Sequence, residues 1–238
     1  PESNTLYQML DTGLGFVAGT GAPGLAAPSM AYTGFGVSAF DIEHDGDLDL
    51  VIANGRVVRA EPDPQSVPPM PWARFVQSNQ VFLNDGRGVF TEAGAAVASV
   101  TTPRAISRGT LEGDLDGDGD LDLVIVNAES PTRVHRNDAS VRGSWLKLDV
   151  RTGPASRPAI GAVVRLESGG DVWRRVVSPA RGYCTASDPR VHFGLGPTRG
   201  YDGVEVRWPD GYRERFPGGT VNRVVRLERG HGSSAPGG

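Results

Sequence analysis

The sequence is poor in several things, and each lack removes a class of protein. A single cysteine, Cys184, stands among 238 residues, which rules out both an intramolecular disulfide framework and a cysteine-based metal site. No apolar run approaches the ~20 residues of a membrane-spanning helix. Aromatic residues reach only 7%, and the hydrophobic fraction is a modest 38%. Twenty-four basic residues stand against 28 acidic ones, for a formal net charge of -4, a balance that argues against nucleic acid as a partner. No Asn-x-Ser/Thr acceptor, nucleophile elbow or phosphate-loop glycine spacing occurs. His135 and His231 lack metal-like spacing. The chain starts at Pro1 with no methionine and no signal peptide, which reads as a processed mature form or a piece of something longer.

What is abundant points to many short strands. The 33 glycines and 18 prolines are spread through the chain without a collagen-like period, as turn residues between strands are. The acids, in contrast, are clumped, and the clumps belong to an internal repeat. Gly13-x-Gly15 recurs as Gly86-x-Gly88. Asp41, Asp45 and Asp49 recur as Asp114, Asp118 and Asp122, and Leu50–Asn54 recurs as Leu123–Asn127. All share one offset of 73 residues. Within a unit, a short strand (Gly36–Phe40) enters an acidic loop and an apolar strand (Leu48–Ala53) leaves it. A proline-rich excursion, Glu61 to Pro71, cannot be regular structure. A hairpin then turns at Asn84-Asp85-Gly86, residues that tolerate positive φ. Four antiparallel strands make one such unit, the size of a propeller blade. On this reading residues 6–17 are the last two strands of a blade, 35–93 a whole blade, and 106–137 three strands of another.

After Gly143 the pattern changes to seven alternating strands: Trp145–Val150, Gly161–Glu167, Val172–Val177, Arg190–Gly194, Gly203–Trp208, Tyr212–Phe216 and Val221–Leu227. Val204, Val206 and Trp208 share one face, Glu205 and Arg207 the other. The expected organisation is therefore all-β. Residues 1–140 form a partial β-propeller, 141–230 a small β-sandwich-like domain, and 231–238 a disordered tail with nothing to bury.

The chemistry lies in two nine-residue loops, Asp41-Ile-Glu43-His-Asp45-Gly-Asp47-Leu-Asp49 and Asp114-Leu-Asp116-Gly-Asp118-Gly-Asp120-Leu-Asp122. Calcium takes six to eight oxygen ligands. Carboxylates at positions 1, 3 and 5 can turn inward together, glycine at position 6 permits a sharp turn, position 7 offers its carbonyl, and position 9 closes the shell. The predicted donors are Asp41, Glu43, Asp45, the Asp47 carbonyl and Asp49, then Asp114, Asp116, Asp118, the Asp120 carbonyl and Asp122. The glutamate an EF-hand carries at position 12 is replaced by Ile52 and Ile125, and a strand follows. So many carboxylates in nine residues repel one another without a cation, and magnesium's tight octahedron suits such a flexible cage poorly.

These loops and their flanks resemble FG-GAP/VCBS repeats, the blades of integrin-α-like propellers. Phe35-Gly36 fits that pattern and Arg108-Gly109 stands in its place before the second loop. The segment from Trp145 to Arg229 resembles the ASPIC/UnbV module, through Ala159-Ile160-Gly161-Ala162, Gly182-Tyr183, Ser187 to Gly196 and Val204 to Gly211. The whole arrangement resembles the C-terminal part of the cartilage acidic protein 1-like family. That resemblance implies a secreted or surface-exposed, calcium-binding protein with an adhesion or matrix role.

Other candidates read as structural. His192 is expected to be a strand histidine with a satisfied hydrogen bond, His44 to point outward, and Cys184 to be a buried or half-buried thiol. Arg207, Arg213 and Arg215, with Trp208 and Tyr212, form either a protein- or glycan-binding face or an ordinary strand exterior. No convergent catalytic set is visible, so the chain is expected not to be an enzyme. Its incomplete blades leave strand edges that suit head-to-tail strand complementation into a filament or ring. The alternative is a fragment of a larger secreted propeller that binds a protein or glycan partner.

Overall fold

A computed structural model of the chain describes residues 3–9, 16–19, 24–139, 143–153 and 156–234. Gly13 and Gly15 lie outside the described residues. Among the described residues the strands are, in chain order, β1 Leu6–Met9, β2 Phe16–Gly19, β3 Gly34–Phe40, β4 Asp49–Asn54, β5 Gln80–Asn84, β6 Phe90–Glu92, β7 Ile106–Gly113, β8 Asp122–Ala128, β9 Arg133–His135, β10 Trp145–Thr152, β11 Arg157–Pro158, β12 Val163–Ser168, β13 Asp171–Val176, β14 Val191–Gly194, β15 Gly200–Arg207, β16 Arg213–Thr220, β17 Arg223–Glu228 and β18 Ser233–Ser234. The protein is all-β, built from several sheets.

The first three sheets are antiparallel meanders: β1-β2, β3-β4-β5-β6 and β7-β8-β9. Their registers repeat with the sequence. Gly34 opposes Asn54 and Val37 opposes Ile52, with a shift between. Seventy-three residues on, Ser107 opposes Asn127 and Thr110 opposes Ile125, again across a shift. The common irregularity surrounds Gly36 and Gly109. A Cβ on Gly36 would lie 2.7 Å from the Thr110 nitrogen, so glycine there lets β7 approach β3. The four-stranded sheet is buried on both faces. Val51 and Val81 pack with Phe40, Leu123 and Ile125 toward the three-stranded sheet. Ile52, Phe82 and Phe90 pack with Leu25 on the opposite side.

The C-terminal half is a two-sheet sandwich. One sheet runs β11-β10-β14 with β17 parallel to β10, and the other runs β13-β12-β15-β16-β18. A single apolar core fills the space between them. Leu146, Leu148, Val150, Val191, Phe193 and Leu227 come from the first sheet, and Val164, Leu166, Val204, Val206, Trp208 and Phe216 from the second or its flanks. Alternation along β15 places Val204 and Val206 inward and Arg207 outward. All seven strands expected after Gly143 are present within a few residues. Tail residues 231–234 were expected to carry no structure, yet Ser233 and Ser234 pair with Arg215 and Glu214. Residues 235–238 lie outside the described residues.

Where the two halves meet, a segment of the sandwich covers the exposed edge of β7. Thr185 Oγ1 donates to the Thr110 carbonyl at 2.7 Å, Glu112 N donates to Ser187 Oγ at 3.3 Å, and Arg181 pairs with Glu112 at 3.1 Å. Gly109 faces Thr185 closely, its Cβ position only 2.6 Å from the Thr185 methyl. Thus Gly109 admits this segment as Gly36 admits β7.

Candidate metal centre

Loop 1 joins β3 to β4 and loop 2 joins β7 to β8, so both acidic runs are strand-to-strand turns at one end of their sheets. The closing aspartates hold the two loops in the same frame. Asp49 Oδ2 accepts from Ile42 N and Oδ1 from Asn84 N, each at 2.9 Å. Asp122 does the same with Leu115 N at 2.8 Å and Asn137 N at 2.9 Å. Each therefore ties the start of its loop to the end of the third strand of its sheet. At position 6, Gly46 and Gly119 adopt φ of 107° and 101°, the sharp turn that only glycine makes without strain.

The carboxylates are gathered unequally. In loop 2, Asp114, Asp116 and Asp122 each bring one oxygen to within 4.8 Å of the others. No comparable trio forms in loop 1 among the described residues. Asp118 is not in the trio; its Oδ1 accepts from Asp120 N at 3.0 Å. Asp120 is buried, and its carboxylate lies 3.7 Å from His44 Nε2. In loop 1, Asp41 accepts from Asp45 N and Gly46 N at 3.1 and 2.8 Å, and Asp45 accepts from Asp47 N at 3.0 Å.

Electrostatics sharpen this difference. Burial pushes Asp41 up to about 7, with Asp45 adding to the effect and the backbone N–H of Gly46 opposing it. Burial likewise pushes Asp49 up to about 7 against its two backbone hydrogen bonds. Glu43 and Asp47 are also raised, first by burial and then by their acidic neighbours. Loop 1 is thus a set of crowded carboxylates that favours protons or a cation. Loop 2 has basic side chains bonded to it. Lys147 Nζ reaches Asp114 Oδ2 at 2.5 Å with both side chains buried, and Arg136 lies 3.0 Å from Asp116 and 3.6 Å from Asp118. An all-oxygen donor set of this kind fits a hard divalent cation, and the Lys147 ammonium already stands at loop 2 as a surrogate one.

Both loops are seated on the sandwich. Gly143 N donates to the Glu43 carbonyl at 3.0 Å, and Gly196 N to the His44 carbonyl at 2.8 Å. His192 Nε2 lies 3.0 Å from the Gly119 carbonyl, the satisfied strand histidine expected from the sequence; burial holds its pKa down to about 3. Trp145 closes over Gly119, and Trp173 Nε1 lies against Gly46. A cleft of about 370 Å³ beside loop 1 is lined by Asp41, Arg175, Arg181 and His192, among others.

Three expectations are corrected. His44 does not point outward. A backbone φ of 61° turns its ring inward to 1% exposure, 4.9 Å from the His192 ring. Cys184 is exposed, because its segment runs along the surface of the junction. Trp208, at 1% exposure, belongs to the sandwich core and not to an arginine-lined face; Arg213 and Arg215 on that exterior pair with Glu205 and Glu167. Sequence reasoning also missed Lys147, the chain's only lysine. Its place between Leu146 and Leu148 on β10 marks it as facing away from the core, but spacing alone gives no sign that an acidic loop covers that outer face.

The family described as ASPIC and UnbV matches residues 152–234, the greater part of the sandwich. Cartilage acidic protein 1 from Homo sapiens is 33% identical over 132 residues, covering 52% of this chain and 20% of that protein. The Xenopus tropicalis protein of the same name is 32% identical over 125 residues (50% and 19%), and that of Mus musculus 35% identical over 114 residues (46% and 17%). The chain therefore spans about a fifth of the length of these relatives. One solved chain, from the crystal structure of the group B streptococcus pilus 2b backbone protein, aligns over 81% of this chain and 96% of its own length, at 16% identity and a TM-score of 0.24.

Proposed function

We propose that this chain is a calcium-binding extracellular module with a structural or adhesive role, its meanders being FG-GAP/VCBS-type propeller blades and its sandwich an ASPIC/UnbV domain. One observation carries the reading. Two acidic loops at an offset of 73 residues share their strand register, their position-6 glycine and the hydrogen-bond frame of their closing aspartate, and in one of them three carboxylates already converge. In loop 1 the donors would be Asp41, Glu43, Asp45, the Asp47 carbonyl and Asp49. In loop 2 they would be Asp114, Asp116, Asp118, the Asp120 carbonyl and Asp122. A bound calcium ion supplies the positive charge that offsets their mutual repulsion. The residues do the rest: Asp49 and Asp122 lock each loop to its sheet, while Gly143 and Gly196 hold the backbone of loop 1 and His192 that of loop 2. The extracellular assignment leans on the relatives' name and on millimolar calcium being suited to weak sites of this kind. No helix among the described residues is long and apolar enough to cross a membrane. We assign the chain no catalytic role.

Thermal melting in calcium and in EGTA tests the reading. Calcium at 100 times its Kd stabilises the folded state by about 2.7 kcal/mol per site. Identical melting curves in the two buffers would remove the proposal.

Assembly into a filament or ring is favoured by one further feature. The outer edge of β9 has no strand partner among the described residues, and Val134 on it is 64% exposed, whereas the edge of β7 is already covered from within. Strand addition by a second copy has the β9 edge available to it, as it has the outer edge of β6. Native mass spectrometry and light scattering separate this from the alternative, a piece of a larger secreted propeller with a protein or glycan partner. A monomer of 25.2 kDa in calcium at all concentrations defeats assembly.

A further inference from the structure

The two loops carry the same acidic pattern but not the same company. Loop 1 has no arginine or lysine within ion-pair distance among the described residues; the buried Arg175 acts on Asp41 and Asp47 only from beyond that distance. Loop 2 is met by Lys147, whose ammonium is 1% exposed and bonded to Asp114, and by Arg136 across Asp116 and Asp118. Lys147 reaches loop 2 from the sandwich. It sits on β10 opposite His192 on β14, and His192 holds the Gly119 carbonyl while Trp145, two residues before Lys147, closes over Gly119. Three side chains of one sheet face thus grip a single loop of the preceding sheet. The loop they grip is also the one whose carboxylates converge, as neutralised carboxylates can and bare ones resist.

We propose that Lys147 is a resident counter-cation of loop 2, so that loop 2 keeps its docked shape without a divalent ion and takes one more weakly than loop 1 does. The inference rests on the calcium reading above and divides labour between the two sites. Loop 1 carries the calcium dependence of the fold. Loop 2 is a latch between sheet and sandwich that is largely indifferent to calcium. A divalent ion entering loop 2 meets a positive charge already bonded to one of its ligands, and at protein-like screening such a charge weakens binding by about tenfold or more.

The structure supplies its own reporters. Trp173 lies against Gly46 of loop 1 and Trp145 against Gly119 of loop 2. Terbium, a luminescent stand-in for calcium, can be titrated into Trp145→Phe protein to read loop 1 and into Trp173→Phe protein to read loop 2. The expected result is a loop 1 midpoint about tenfold below that of loop 2, and in Lys147→Met a loop 2 midpoint moved down by about tenfold. Lys147→Arg should leave it in place. Because Lys147 is the only lysine, amine-reactive labelling followed by peptide mass spectrometry reports whether the latch opens; labelling should stay slow in EGTA. Should Lys147→Met fail to fold, Arg136→Gln, on an exposed side chain, should still tighten loop 2 by about threefold. Equal midpoints in the two loops, an unmoved loop 2 midpoint in the variants, or rapid labelling of Lys147 in EGTA overturns the inference. Absence of sensitised luminescence from both loops overturns the calcium reading itself, a different outcome.

Discussion

The sandwich buries Leu146, Leu148, Leu166, Phe193, Val206 and Trp208 in one continuous group between two sheets. The sheets before it divide their buried apolar side chains into two smaller groups. They also bury Asp41, Asp49, Asp120, Asp122 and His44 at the loop end, with Asn54 and Gln80 further along. The first region is held mainly by apolar burial, at roughly 25 cal/mol per Å², with its buried Lys147, His192 and Glu214 each partnered. The second depends on polar groups whose buried charges must each find a partner. Perturbations should therefore sort by region: core truncation should act alike in all buffers, and chelation, protons and junction contacts should act on the sheet side.

The largest effect belongs to the sandwich. Trp208→Ala removes the largest fully buried side chain, and such truncations cost about 3–5 kcal/mol. Urea melts of this variant should shift by the same amount in calcium and in EGTA. A loss that calcium repairs would break the comparison at its strongest point.

Next in size is calcium itself. On the proposed reading, EGTA should lower stability by about 3 kcal/mol for a site that is saturated a hundredfold above its Kd. Asp49→Asn should remove most of that sensitivity, since it deletes a loop 1 ligand. Asp118→Asn should remove less, because loop 2 is held by Lys147 and Arg136. Differential scanning calorimetry with and without EGTA on the three proteins reads both differences.

Acidity should then act with an unusual sign on the chelated protein. Asp41 and Asp49, pushed up to about 7 by burial, hold protons in the folded state that the unfolded chain releases above its ordinary carboxylate range. Their destabilisation is fully present above pH 7 and is relieved as pH falls. Between pH 8 and 5.5 each should return about 2 kcal/mol. His192, kept neutral down to about 3, works the other way. Its contribution is complete above pH 6.5 and shrinks by about 1.4 kcal/mol at pH 5.5. The net expectation in EGTA is a protein more stable at pH 5.5 than at pH 8. In calcium the gain should vanish, because the ion holds the carboxylates ionised. Chemical melts at the two pH values decide it.

How far the sequence spoke for each region follows the same division. The sandwich strands could be placed because alternation reports burial directly, as at Val204, Glu205, Val206 and Arg207. The loops and their offset were legible because carboxylate spacing is local. The company the loops keep was not. His44 was expected outside because a polar residue in an acidic turn faces water by default, and only a left-handed backbone turned it in. Lys147 and His192 meet loop 2 across more than 30 and 70 residues of chain, and no periodicity encodes which surface covers the outer face of β10. The same holds for Cys184, whose exposure depends on where its segment crosses the junction.

The smallest effect tests that junction. Thr185 Oγ1 donates to the Thr110 carbonyl at 2.7 Å, one of the contacts by which the sandwich covers the β7 edge. Thr185→Val keeps the methyl that faces Gly109 and deletes only the donor, so the loss should be about 1 kcal/mol. A carbonyl left without its partner on a strand edge is also a point for another strand to pair. Amide hydrogen exchange should therefore rise in β7 and in residues 182–188 and stay unchanged between β12 and β15, where the apolar core alone sets protection. If protection instead falls throughout the sandwich, the two regions do not open separately, and the division of forces drawn between them fails at its boundary.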